Sequence, residues 1–159
     1  MDNKLMTFEN AAFGKIRTLT IDGEPWFVAV DVCRALEIGN PTDAMRRLDA
    51  DERTLVSIEG ASNGLPVNAV NEPGLYTLIL GSRKPEAKAF KRWITHEVIP
   101  AIRKYGGYMT KSLLEQVLEN PNLIYEFARR MLAEQQKNER LRQELDRAKA
   151  KADYYDAFI

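Results

Sequence analysis

The stretch IRTLTIDGEPWFVAV, residues 16–30, decides the fold class. Asp22-Gly23 is a tight-turn signal, and β-branched and aromatic residues flank it, Ile16 to Ile21 on one side and Trp26 to Val30 on the other. Two short strands joined as a hairpin are expected, with Glu24-Pro25 lengthening the turn. Immediately afterwards Asp31 can cap a helix over Val32–Glu37. Asn40 before Pro41 repeats the signal, because proline at the first helical position loses no hydrogen bond, and a second short helix should end near Leu48. Strands followed directly by short helices point to an α+β domain.

Working outward, Thr54–Ile58 has strand composition, Gly60–Gly64 is a loop of small and polar residues, and Val67–Val70 can return as another strand. These complete a small mixed sheet. Asn71-Glu72-Pro73-Gly74 starts a helix through LYTLILGS, with Glu72 near the positive end of its dipole. Pro85 starts the next, which runs to about Lys104 and is stopped by Gly106-Gly107. After Gly107 there is no further glycine, and alanine, leucine, glutamate, glutamine, lysine and arginine dominate. A boundary there separates a recognition domain, 1–108, from a helical segment, 109–159.

In that segment Ser112 with Glu115 has capping-box spacing for a short helix, and Asn120-Pro121 opens a second that meets no breaker through Asp153. A 4-3 register places Ile124, Phe127, Met131, Glu134, Asn138, Leu141, Leu145, Ala148, Ala152 and Tyr155 on one seam. Partner helices are needed to bury it, so an oligomerising coiled coil is expected, the alternative being a single helix that folds back on the first domain. Association should be modest, since Glu134 and Asn138 are polar and the two alanines bury little. Asn138 at an a-type position argues for a parallel dimer, and the shortage of large residues leaves a tetramer open. The fold class is therefore α+β: a small mixed sheet with several helices, followed by a long α-helical coiled-coil segment.

Composition narrows function by exclusion. Apolar residues at 45% and charged residues at 29% are globular values. MDNKLMTFENAAF has no apolar run of signal-peptide type, and no stretch reaches the length that spans a bilayer, so a cytoplasmic protein without a membrane partner is expected. Cys33 is the single cysteine and His96 the single histidine, which leaves no internal disulfide and no histidine-rich metal site. No phosphate-cradling glycine loop is present, and Asp31, Asp43, Asp49, Asp51 and Glu52 read as caps and solvated turns. Cys33 reads as a small core residue. No catalytic residue, metal or cofactor is expected.

Net charge is zero, 23 basic against 23 acidic, but the average hides a gradient. Residues 1–80 are acidic on balance, whereas 81–104 carry Arg83, Lys84, Lys88, Lys91, Arg92, Arg103 and Lys104 against Glu86 and Glu97. A helical wheel groups Ala87, Phe90, Ile94, Val98 and Ala101 as a core face, with Lys84, Lys88, Lys91, Arg92 and Arg103 opposite and Trp93 at the edge. Such a ridge can lie along phosphates; it can equally be the solvated back of an amphipathic helix. Its concentration in an otherwise acidic domain favours phosphate contact. Pro100 should bend the helix between Ile94 and Arg103 and split the ridge.

The elements IDGEPWFVAVDVCRALEIGNP (21–41) and VNEPGLYTLILGSRKPEAKAFKRWITHEVIPAIRKYGGY (70–108) resemble, in that order, the N-terminal domain of the Bro family of viral proteins, common in phage and prophage antirepressors. Departures are Pro73 for a small polar residue, Glu37 where glycine is common, and Ile99 for leucine. NPNLIYEFARRMLAEQQKNERLRQEL (120–145) resembles the helical linker of such antirepressors, and AKADYYDAFI (150–159) the start of their C-terminal domain. The resemblance implies transcriptional control in a phage or prophage setting. Two mechanisms follow: weak, phosphate-dominated DNA binding through the basic helix, or capture of the phage repressor protein without DNA contact.

Overall fold

The computed structural model describes residues 5–58 and 64–157. Residues 60–63 of the expected loop lie outside them. The chain divides into two compact units, Met1–Gly107 and Tyr108–Ile159.

The first unit contains strands β1 (Met6–Asn10), β2 (Gly14–Ile21), β3 (Glu24–Val28), β4 (Arg53–Val56) and β5 (Val67–Asn71). They form one sheet in the order β1-β2-β3-β5-β4, antiparallel at every pairing rather than mixed. Helices α1 (Ala29–Ala35), α2 (Pro41–Arg46), α3 (Glu72–Gly81), α4 (Pro85–Trp93) and α5 (Ile99–Tyr105) complete this α+β unit.

The hairpin forms with a tighter turn than expected. Asp22 and Gly23 both take positive φ, 52° and 82°, and Ile21 pairs directly with Glu24. That is the two-residue turn whose twist matches the strands, so Glu24 and Pro25 belong to β3 instead of lengthening the loop. β1 has no counterpart in the sequence reading. All five of its residues are exposed, so no buried face imposes the alternation that reveals a strand.

Asp31 is not the cap of the helix after the hairpin. Helix α1 starts three residues earlier than expected, at Ala29 after Val28, and Asp31 lies in its first turn with 2% of its surface exposed. Its carboxylate accepts from the Arg17 backbone N–H at 3.0 Å and from the Arg17 guanidinium at 2.8 and 2.9 Å, while Arg34 stands 3.4 Å away. Burial works against ionisation, but the hydrogen bonds and charge of Arg17, with the charge of Arg34, outweigh it and hold the carboxyl below its ordinary pKa. The cap assignment at Asn40 holds: its side chain accepts from the Asp43 N–H at 3.1 Å.

Helix α1 ends in a left-handed turn at Glu37, φ 56°. The Ile38 N–H reaches the Cys33 carbonyl at 2.8 Å and the Glu37 N–H the Arg34 carbonyl at 3.2 Å, the paired bonds of a Schellman cap. Glycine would meet that φ without steric cost, whereas a glutamate there carries local strain. At the start of α3, Asn71 accepts from the Gly74 N–H at 3.0 Å and donates to the Asp51 carbonyl at 2.8 Å. Gly74 is required by space: a Cβ would lie 2.7 Å from the Glu52 carbonyl oxygen.

The main core lies between one sheet face and the helices. Val32 and Cys33 of α1, with Leu36 at its end, meet Met45, Leu48, Val70, Leu78 and Ala87. A smaller cluster of Leu19, Val28, Val56, Ile58 and Ala69 covers the other face, as the strand alternation at Phe27↔Val70 and Val28↔Ala69 requires.

The helix expected from Pro85 to Lys104 is divided. A π-helical turn, Ile94–Val98, separates α4 from α5, and the Ile99 N–H bonds to the Ile94 carbonyl five residues back. The wider turn leaves Pro100 in the first turn of α5, where its missing donor costs nothing. The Thr95 hydroxyl caps the Lys91 carbonyl at 2.9 Å.

In the second unit, α6 (Lys111–Glu119) is capped by Thr110, which accepts from the Leu113 N–H at 3.3 Å; Ser112, the expected cap, lies inside the helix. Helix α7 runs unbroken over 35 residues, Asn122–Asp156, and none of its residues is buried. No helix among the described residues is long and apolar enough to cross a membrane.

Removing the Asp31 charge by Asp31→Asn is expected to cost about 2–3 kcal/mol, the lower end for a broken buried pair because Arg17 is partly exposed and can rehydrate. A carboxylate with a depressed folded pKa stabilises above its unfolded value of about 3.9, and that stability is lost as pH falls through the lower folded value. Chemical denaturation from pH 7 to pH 2 should therefore show an acid loss in the natural chain that is smaller in Asp31→Asn.

Candidate nucleic-acid interface

Helices α4 and α5 present the basic residues. Ala87 of α4 is fully buried and Phe90, Ile94, Val98 and Ala101 are half-buried, which makes the expected core face the covered one. Lys88, Lys91 and Arg92 of α4 are exposed, as are Arg83 before it and Arg103 and Lys104 in the last turn of α5. Among the described residues no ion pair engages any of these six. Of the five arginines of the first eighty residues, four differ, Arg46 being exposed and, among the described residues, without an ion pair. Arg17 and Arg34 are held by Asp31, Arg47 by Asp43 at 2.6 Å, and Arg53 donates to the Met45 carbonyl at 2.9 Å.

Lys84 stands apart from the other candidates. Its ammonium donates to the Ala12 carbonyl at 2.8 Å and the Ala35 carbonyl at 2.9 Å and lies 5.2 Å from the centre of the Phe13 ring. Two of its three donors are thereby occupied, and its work is to pin the start of α4 to α1 and to the turn between β1 and β2. Ser82 supports the same junction, donating to the Leu36 carbonyl at 2.9 Å and accepting from the Lys84 N–H at 3.2 Å.

Beside the ridge runs an aromatic row that the sequence reading did not assemble. Tyr76 of α3 stacks on Phe90 of α4, ring centres 6.1 Å apart and planes within 16°, and Phe90 meets Trp93 at 5.7 Å. Tyr76 comes from another helix, and only its four-residue spacing from Glu72 hinted at its setting. Its hydroxyl donates to Glu72 at 2.5 Å, which with burial and the negative charge pushes its pKa up.

The two residues that could have carried chemistry are separately placed. Cys33 is fully buried and burial pushes its thiol up, the opposite of an activated nucleophile. His96 is exposed on the π turn, its Nδ1 lying 3.1 Å from the Arg92 carbonyl and 2.9 Å from the Thr95 hydroxyl. Among the described residues no group of three or more His, Cys, Asp or Glu side chains could hold a metal ion.

The first unit is thus a five-stranded antiparallel sheet with short helices, whose longest helical run is basic and aromatic. Residues 15–100 match the BRO family, N-terminal domain, and the chain belongs to that family. It is 38% identical over 89 residues to an uncharacterised protein of Haemophilus influenzae, covering 54% of this chain and 43% of that one. It is 28% identical over 137 residues to Bro-N domain-containing protein 019R of Invertebrate iridescent virus 3, covering 64% and 34%, and 28% identical over 126 residues to protein 201R of Invertebrate iridescent virus 6, covering 66% and 30%. The chain thus spans less than half the length of these relatives. No solved structure matches it.

The different roles of neighbouring lysines are separable by experiment. Lys84→Ala should lower stability by about 1–3 kcal/mol, because it strands two carbonyls and a ring contact. Lys88→Ala and Arg92→Ala should stay within about 0.5 kcal/mol of the natural chain in thermal or urea unfolding.

Proposed function

We propose that the chain is an antirepressor-type transcription regulator of a phage or prophage, acting in the host cytoplasm without enzymatic chemistry. Its first unit binds DNA through α4 and α5, and α7 joins copies of the chain. The observation that carries this reading is the set of six cations, Arg83, Lys88, Lys91, Arg92, Arg103 and Lys104, that no ion pair engages, concentrated on one helical run of a domain in which four of the five arginines of residues 1–80 are occupied internally. Such cations gain by displacing the counterions condensed on a duplex. Binding of this kind is governed by backbone phosphates, reads little sequence, and is limited by the acidic balance of residues 1–80.

Capture of a repressor protein is the second reading. It is favoured by apolar exposure on α5, where Ile99 is 54%, Ile102 50% and Tyr105 83% exposed. A packed apolar contact responds weakly to salt, which separates the two readings.

Fluorescence anisotropy with a labelled duplex across a salt series tests the proposal. About four to six phosphate contacts should make affinity fall as roughly the fourth or fifth power of salt concentration. The Lys88→Glu, Arg92→Glu double variant should lose binding and flatten the slope. Unchanged duplex binding by that variant would exclude the ridge.

A further inference from the structure

We propose that α7 pairs with the α7 of a second copy of the chain in antiparallel orientation, in the register that sets Glu134 against the partner's Asn138. This rests on the reading of α7 as the association element and assigns it an orientation. The structure supplies the starting point: a continuous helix on which Met131, Leu141 and Leu145 remain 47%, 52% and 54% exposed and no residue is buried within the chain. A 35-residue helix with an apolar stripe so exposed needs an external partner.

Asn138 by itself argues for a parallel pair, but Glu134 reverses the argument. In a parallel, in-register dimer Glu134 occupies a d-type position and faces its own copy, two like charges across the middle of a desolvated seam. The flanking pairs of that arrangement do not compensate. Glu144 with the partner's Lys149 and Lys151 with the partner's Asp156 attract, Lys137 and the partner's Arg142 repel, and all are exposed pairs of little weight.

Reversing the partner opposes a-type to d-type positions. One register sets Met131 against the partner's Leu141, Phe127 against Leu145 and Ile124 against Ala148. In it Glu134 meets Asn138, whose amide N–H can donate to the carboxylate, and the contact occurs twice by symmetry. Arg130 then flanks the partner's Glu144, again twice, against a single exposed repulsion of Lys137 with its own copy at the two-fold axis. Sliding the partner by one heptad puts Glu134 opposite Leu145 and Asn138 opposite Leu141, burying both polar groups without partners, so the polar pair fixes register as well as direction.

The test is disulfide trapping in the full chain. Met131→Cys protein is mixed with Leu141→Cys protein carrying a mass tag, re-equilibrated and oxidised; the unsubstituted chain, whose Cys33 is buried, is the control. Both substituted positions are exposed within the chain, so neither change touches its core. The antiparallel register gives a heterodisulfide well above the share from random pairing. Homodisulfides of each variant would overturn the orientation and leave association through α7 standing. A dimer by light scattering with no crosslink of either kind places association elsewhere and overturns the proposal. A monomer at about tens of micromolar overturns both this proposal and the association reading beneath it.

Discussion

The Asp31 carboxylate accepts three hydrogen bonds from one residue, Arg17, and is almost fully removed from solvent. A lone buried carboxylate would be costly, whereas this one is matched in charge and geometry by a guanidinium and a backbone donor of β2. The interaction fixes α1 against the sheet at one rotation and one depth. The consequences run along the chain. The Schellman turn at Glu37 fixes where α1 ends, Lys84 docks on the Ala35 carbonyl and Ser82 on the Leu36 carbonyl. Lys84 and Ser82 define the start of α4, which points Lys88, Lys91 and Arg92 outward while Ala87 is fully buried. The direction of the basic ridge thus depends on a carboxylate more than fifty residues earlier in the sequence.

Features legible in the sequence are those whose cause is local. Asp22-Gly23 specifies a turn through its own backbone preferences, Asn40-Pro41 and Asn71 cap helices a few residues away, and Pro100 disturbs the helix that contains it. Even there the remedy was not readable. A proline predicts a bend, whereas the chain accommodates it with a π turn in which the Ile99 N–H reaches the Ile94 carbonyl.

What was not legible depends on residues far apart in the sequence. Asp31 has the composition and position of a cap, and only the pairing of β2 with β3 brings Arg17 to it. Lys84 is indistinguishable in sequence from the exposed lysines near it until the Ala12 and Ala35 carbonyls converge on its ammonium. β1 is held by backbone pairing to β2 without a buried side chain, so it carries no hydrophobic pattern. The basic excess of α4 and α5 was legible because charge counts need no geometry; the Tyr76, Phe90 and Trp93 row beside it was not, since two helices contribute.

The concentration of unengaged cations on the ridge, while four of the five arginines of residues 1–80 have internal partners, is the physical basis of the functional reading. Charges already bonded to carbonyls and carboxylates release few counterions on meeting a phosphate backbone, whereas the six on α4, α5 and the residue before them can. Amide chemical-shift mapping of the labelled chain during titration with a short duplex at low salt examines this directly. The largest perturbations are expected to cluster on residues 83–92 and on Arg103 and Lys104, with the Arg17 and Asp31 amides unmoved. Perturbations centred on β1, α2 or α7, or none at saturating duplex, would contradict it.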